Sequence, residues 1–299
     1  MTFSIVARCP ERHLLGVAVS TAVPAVGAMC PHNRPGVGAV STQSWVNPYL
    51  AIAVLDLLAT GRPAREALDT ALRADAHADL RQIGLVTADG VALSWTGSSC
   101  TGWAGERTGP GYAIQGNMLT GAATLDAMQA AFLASTDQPF EERMMQALEA
   151  GQRAGGDKRG RQSASLLITD SEPYPYLDLR VDEHTDPVTE LRRVFGVAVA
   201  QFLPFRASMP SRTNPAGVPP KSVSDLLLLA PSLRPGAAPP PDLLQTITGT
   251  QFTPERAAAN IAAFRPILAE IHKLRELDLG DIHPAVMFDP TAPWRRSEQ

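Results

Sequence analysis

Residues 2–20 read TFSIVARCPERHLLGVAVS, and their alternation decides the fold class. Phe3, Ile5 and Ala7 recur at every second position, the period of a half-buried strand. Pro10 to His13 make a turn, and LLGVAVS at 14–20 forms a second strand. Working outward, GVGAVSTQ at 36–43 reads as a third strand, short and small-sided. A helix follows from Asn47-Pro48 to Gly61, with Asn as cap and Pro at the first helical position. The next helix starts at Pro63 and lines up Ala67, Leu68, Ala71 and Leu72 on one face. IGLVTA (83–88), Asp89-Gly90 and VALSWT (91–96) make a hairpin. A strand over 111–117, helices over 121–134 and 139–153, strands over 163–169 and 176–181, and a short helix over 187–195 complete the run. The order is strands, two helices, strands, two helices, strands. It implies an α+β fold of stacked antiparallel sheets covered by helices, not alternating βαβ units.

Composition changes after residue 203. Ten prolines lie between residues 204 and 241, too many for a packed sheet or a long helix, so this stretch reads as a linker. Within it, 225–229 (DLLLL) is a brief apolar run that suits a short helix covering the parent domain. From Thr253 a helical segment begins, with Ile261, Phe264, Leu268, Ile271 and Leu274 on one face. Pro266 splits or kinks it, and Gly280 ends it. The expected domains are 1–203, a proline-rich linker over 204–244 and a helical tail over 245–299. A tail this short cannot hold a core alone and must pack on a neighbour.

The chain has 299 residues, with 26 basic and 30 acidic side chains and a formal net charge of −4. That balance gives no pull toward nucleic acid. No apolar stretch reaches the roughly 18 residues of a membrane span, and no signal peptide is evident. Three separated cysteines, with no CxxC pair, fit a reducing cytosol and suggest no zinc site. GxGxxG, P-loop, GxSxG and HExxH motifs are absent.

Thr2 opens the first strand directly after Met1. Initiator Met is normally removed before a residue as small as Thr, which leaves a hydroxyl and a free α-amine on one residue. A Thr hydroxyl is a poor nucleophile without an adjacent base. An α-amine, with an unperturbed pKa of about 7.7–8.0, is a suitable base near neutral pH. Many proteins begin Met-Thr without catalytic meaning, so this feature alone carries little.

Eight blocks in order add weight: TFSIVAR at 2–8, LGVAVS at 15–20, AVGA at 25–28, GVGAVSTQ at 36–43, WTG at 95–97, WAG at 103–105, QGN at 115–117 and GDKRGRQSA at 156–164. Together they resemble the bacterial DUF1028 family, over roughly residues 2–195. The resemblance implies the N-terminal-nucleophile hydrolase fold, a four-layer αββα sandwich. It also implies Thr2 as the catalytic nucleophile, and gives the chemistry class better than the substrate. The reading adopted from it is hydrolysis of a small amide or ureido C–N bond that needs no cofactor, and no His, Cys and carboxylate cluster has metal spacing. Cys9 stands where relatives carry Asp.

The wider superfamily suggests further roles. A cation near the third strand tunes the nucleophile, and Arg34 is the nearest candidate; a surface turn is the competing reading. Ser41, Thr42 and Gln43 fall where the superfamily's third strand lines the substrate site. Asn117, after a strand, could donate to a tetrahedral oxyanion or simply form a turn. Arg159 and Arg161 beside glycines suit a substrate carboxylate, with an internal brace to Asp157 as the alternative. His32 reads as a surface turn residue. The tail segment 253–290 resembles the small helical subunits of amidase-signature enzymes, which implies an amidase-type protein partner. Packing in cis and a homo-oligomer both stay open.

Overall fold

The computed structural model describes residues 2–231 together with 234, 235, 253 and 256. β1 (Thr2–Cys9) and β2 (Leu14–Thr21) pair antiparallel in full register, Thr2 against Thr21 and Cys9 against Leu14. One helical turn, α1 (Val26–Met29), leads into β3 (Pro31–Arg34) and β4 (Gly38–Ser44). α2 (Pro48–Ala59) and α3 (Ala64–Ala74) follow, then β5 (Arg81–Thr87), β6 (Ala92–Thr96), β7 (Trp103–Gly109) and β8 (Tyr112–Leu119). α4 (Ala123–Ala134), α5 (Phe140–Arg153), β9 (Ser163–Thr169), β10 (Leu177–Val181) and α6 (Pro187–Val197) complete the frame. All pairings are antiparallel, in sheets ordered β10-β9-β2-β1-β8-β7 and β3-β4-β5-β6.

Strand alternation builds the layers. Phe3, Ile5 and Ala7 point to one face of the larger sheet and pack with Leu125, Met144, Leu148 and Phe195 of α4, α5 and α6. Val6, Val17 and Ala113 point the other way and meet Ala39 and Val86 of the smaller sheet. Val40, Ile83 and Leu85 leave the smaller sheet's far face and pack beneath Leu50, Val54 and Leu68 of α2 and α3. The result is the expected αββα sandwich. Each fully buried large apolar side chain contributes about 1.5–3 kcal/mol.

The helix starts follow their caps: the Asn47 side chain accepts from the Tyr49 amide and Pro48 takes the first helical position. Two strands escape the sequence pattern. β3 is four residues, PHNR, and β7 reads WAGERTG. Both are sheet-edge strands with one neighbour each, so neither needs a buried apolar face. The strand expected over 36–43 is therefore the fourth, β4, and it begins at Gly38, not at residue 36.

Beyond α6 the chain passes through a π-helical turn (Ala198–Phe202) into α7 (Leu203–Arg206), and later forms α8 (Lys221–Leu228). Arg206 is buried, lies 2.7 Å from Asp170 and stacks over Tyr174. The Tyr174 hydroxyl donates to the Pro210 carbonyl, and the Arg212 amide to Glu172. The first compact unit runs Met1–Gly236 and the second Ala237–Gln299. The start of the proline-rich stretch is thus tied to the first unit. The apolar face at 261–274 lies outside the described residues. No helix among the described residues is long and apolar enough to cross a membrane.

Candidate functional site

The site forms where β1 begins. Thr2 and Ser4 share β1's inner face with Val6, so the space between the sheets grades from apolar at Val6 to polar at Thr2. In register beside Thr2 stand Thr21 on β2 and Asn117 on β8. The Thr2 hydroxyl donates to the Thr21 hydroxyl at 3.2 Å. A cavity of about 150 Å³ opens here, with Thr2, Gln43, Ser44, Thr101, Asn117 and Arg159 as its polar lining. Val23, Val26, Met29, Cys30 and Val46 supply an apolar wall, and Trp45, 65% exposed, stands in the lining. Burial pushes the Cys30 thiol up to about 12, so it is a neutral wall residue rather than a thiolate nucleophile.

Behind the cavity the sheets enclose a network of buried carboxamides. Ser4 donates to Gln43 Oε1 at 2.7 Å, and Gln43 Nε2 donates to Gln82 Oε1 at 2.8 Å and to the Thr2 carbonyl at 3.3 Å. Asn117 Nδ2 donates to the same Gln82 oxygen at 3.0 Å. Buried amides are costly unless bonded. Here the cost is offset nearly throughout, Gln115 Oε1 being left without a partner.

Two further features border the cavity. Ser44 and Met118, both in its lining, hold left-handed φ angles of 73° and 51°. Such backbone costs on the order of 1–3 kcal/mol per residue and concentrates at functional sites. The 156–164 loop is anchored by Asp157, whose carboxylate is 1% exposed, accepts from the Ala22 and Arg159 amides and pairs with Arg159 at 3.2 Å. Gly156 and Gly160, at φ +56° and +116°, let the loop fold back around that carboxylate.

The fold brings together four of the residues singled out from sequence: Thr2, Gln43, Asn117 and Arg159. The other four lie elsewhere, and strand geometry explains each. Ser41 shares Gln43's face of β4 but is fully buried between the sheets, outside the cavity lining. Thr42 points to the helix side and bonds the Asn47 carbonyl. Arg34 pairs with Gly38, at the end of β4 opposite Gln43, and its guanidinium lies 2.9 Å from Asp56 of α2. Arg161 sits 2.7 Å from Asp186 and does not line the cavity. His32 lies on β3, where burial lowers its pKa and its ring bonds the Cys30 carbonyl. Cys9, at the far end of β1, is about 23 Å from Thr2 by strand rise, so its departure from the family pattern does not reach the cavity. Sequence reasoning missed Gln82, Gln115 and Ser4. Ser4 and Gln115 occupy inward positions of strands it did recognise, where a polar residue among apolar ones was the available signal; Gln82 lies one residue before the strand expected at 83–88, which begins at Arg81.

The model of a family of unknown function (DUF1028) matches residues 2–191. The crystal structure of a DUF1028 protein from Silicibacter pomeroyi is 27% identical, with a TM-score of 0.68, over 74% of this chain and 96% of that one. Anbu (ancestral beta-subunit) from Yersinia bercovieri is 13% identical, with a TM-score of 0.32, over 70% of this chain and 98% of its own. An Anbu (Gly-1) mutant from Hyphomicrobium sp. strain MC1 is 14% identical, with a TM-score of 0.36, over 68% and 96%. No curated protein matches the chain. With the family matched over most of the sandwich, this chain belongs to the DUF1028 family.

Proposed function

We propose that this chain hydrolyses the amide or ureido C–N bond of a small molecule, with Thr2 as nucleophile once Met1 is removed. The observation that carries the reading is the placement of Thr2: it opens a central strand, lines a cavity and has Thr21 and Asn117 as register partners. Thr2 Oγ attacks the carbonyl carbon while its proton passes to the Thr2 α-amine. Asn117 donates to the tetrahedral oxyanion. The α-amine then protonates the leaving nitrogen, and water, activated by the same amine, releases the acyl group. Arg159 offers charge to an acidic substrate group. The cavity, about 150 Å³, is small beside the roughly 300–1,000 Å³ of drug-sized ligand pockets, which favours a compact substrate.

The test is intact mass followed by turnover. Active protein should begin at Thr2, and Thr2→Ala should lower turnover of small amides or ureido acids by on the order of 10⁴-fold or more while the fold persists. Thr2→Ser should keep part of the activity. An active preparation that retains Met1 sinks the mechanism. A second reading, a non-catalytic scaffold whose tail over 253–290 binds an amidase-type enzyme, draws on the burial of Thr2, which is 5% exposed. Retained Met1, no turnover and co-purification of an amidase would favour it.

A further inference from the structure

We propose that Gln82 is a positioning residue that sets the orientation of the Asn117 and Gln43 carboxamides beside Thr2. Its catalytic consequence rests on the reading of Thr2 as nucleophile; its geometry does not. Gln82 is fully buried on β5, in the sheet opposite Thr2. Its Nε2 has three acceptors within reach, the Gly116 carbonyl at 2.9 Å, the Thr96 hydroxyl at 2.9 Å and the Gly105 carbonyl at 3.2 Å, which share its two N–H groups. Thr96 in turn donates to Glu106 at 2.7 Å, so its oxygen is committed to accepting from Gln82.

Backbone carbonyls only accept, so the nitrogen of the Gln82 amide has to lie on their side. Its Oε1 therefore points the other way, toward Gln43 and Asn117. An oxygen cannot donate, so both neighbours must turn their nitrogens to it, as the bonds of 2.8 Å and 3.0 Å require. Rotating Gln82 by half a turn would set its oxygen against two carbonyl oxygens and its NH2 against two more NH2 groups. The orientation thus starts in backbone that cannot flip and ends at the cavity. With one N–H spent on Gln82, Asn117, which lines the cavity, keeps a second N–H for a substrate oxygen. Through Gln43 the same residue also holds the Thr2 carbonyl.

The experiment combines side-chain amide NMR with a kinetic double-mutant cycle. Asn117→Ala assigns the Asn117 NH2 resonances by their loss. Gln82→Met should move or broaden those resonances and lower kcat by about 10²-fold with KM little changed. In an Asn117→Ala background the same substitution should cost several-fold less than it does in the wild type, because its path through Asn117 is already gone and only the one through Gln43 is left. Gln82→Glu covers the case in which Gln82→Met fails to fold. Its buried carboxyl is neutral, donates to a carbonyl and accepts from Asn117, so it should restore the resonances. Unmoved Asn117 resonances in Gln82→Met, or kinetic losses that simply add, would overturn the proposal. If wild-type protein turns over nothing while the resonances move, the Thr2 chemistry fails and the clamp stands.

Discussion

Asn117 and Arg34 were singled out by the same kind of argument, and the fold separates them. Asn117 reaches the cavity because its strand pairs directly with Thr2, placing both side chains on the inner face. Asn117→Ala should lower kcat by about 10²-fold or more, as expected for an oxyanion donor, measured under saturating substrate. Arg34 ends β3 and pairs with Asp56, both side chains well exposed to water. Exposed pairs of this kind contribute about 0–1 kcal/mol. Arg34→Ala should therefore leave kcat and KM near wild type and shift the melting temperature little. A large rise in KM would return Arg34 to the site.

At the level of elements, two further contacts tie the smaller sheet to its surroundings. Gly84 on β5 faces Gln115 on β8 across the inter-sheet space, and a Cβ at Gly84 would lie 1.9 Å from Gln115 Oε1. The Gln115 side chain cannot swing aside cheaply, because its Nε2 donates to Ser4 in a fully buried setting. Gly84→Ala should cost about 1–3 kcal/mol by chemical denaturation, the range for overpacking. Asp75, after α3, accepts from Asn47 at the start of α2, from the His77 amide and from Arg81 at the start of β5. The Arg81 hydrogen bond leads in holding its carboxyl near a pKa of about 2, below the ordinary 3.8. A depressed folded-state pKa gives stability that is present above the ordinary value and lost as pH falls through the folded one. The loss should fall between about pH 4 and pH 2. Asp75→Asn should lower the melting temperature at neutral pH and flatten that acid limb. An unchanged limb would show that Asp75 does not carry it.

For the whole molecule, the division at Gly236 makes the sandwich a candidate for independent folding. Its cores lie between its own sheets and helices. Deleting residues 245–299 should leave the melting temperature and small-amide turnover close to those of the full chain, while abolishing recovery of any amidase-type partner. A markedly destabilised truncation, with no partner recovered from the full-length protein, would rule out the adaptor role of the tail.

Local physics made much of the frame legible. Period-two alternation in 2–8 and 14–20, the Asn47-Pro48 cap and helical spacing over 121–134 and 139–153 depend on near neighbours, so the chain carries them wherever it folds. The edge strands β3 and β7 were hidden because an edge strand needs no buried face to stay paired. The site was legible by half for a related reason. Residue type names a chemistry, but position on a strand decides where it points. Consecutive Ser41, Thr42 and Gln43 diverge between two faces, while Thr2, Asn117, Gln43 and Arg159 converge from segments far apart in sequence. The buried carboxamides of Gln82 and Gln115 are the clearest case. Only the stacking of two sheets turns polar residues on apolar strands into one bonded network, because their partners come from the opposite layer.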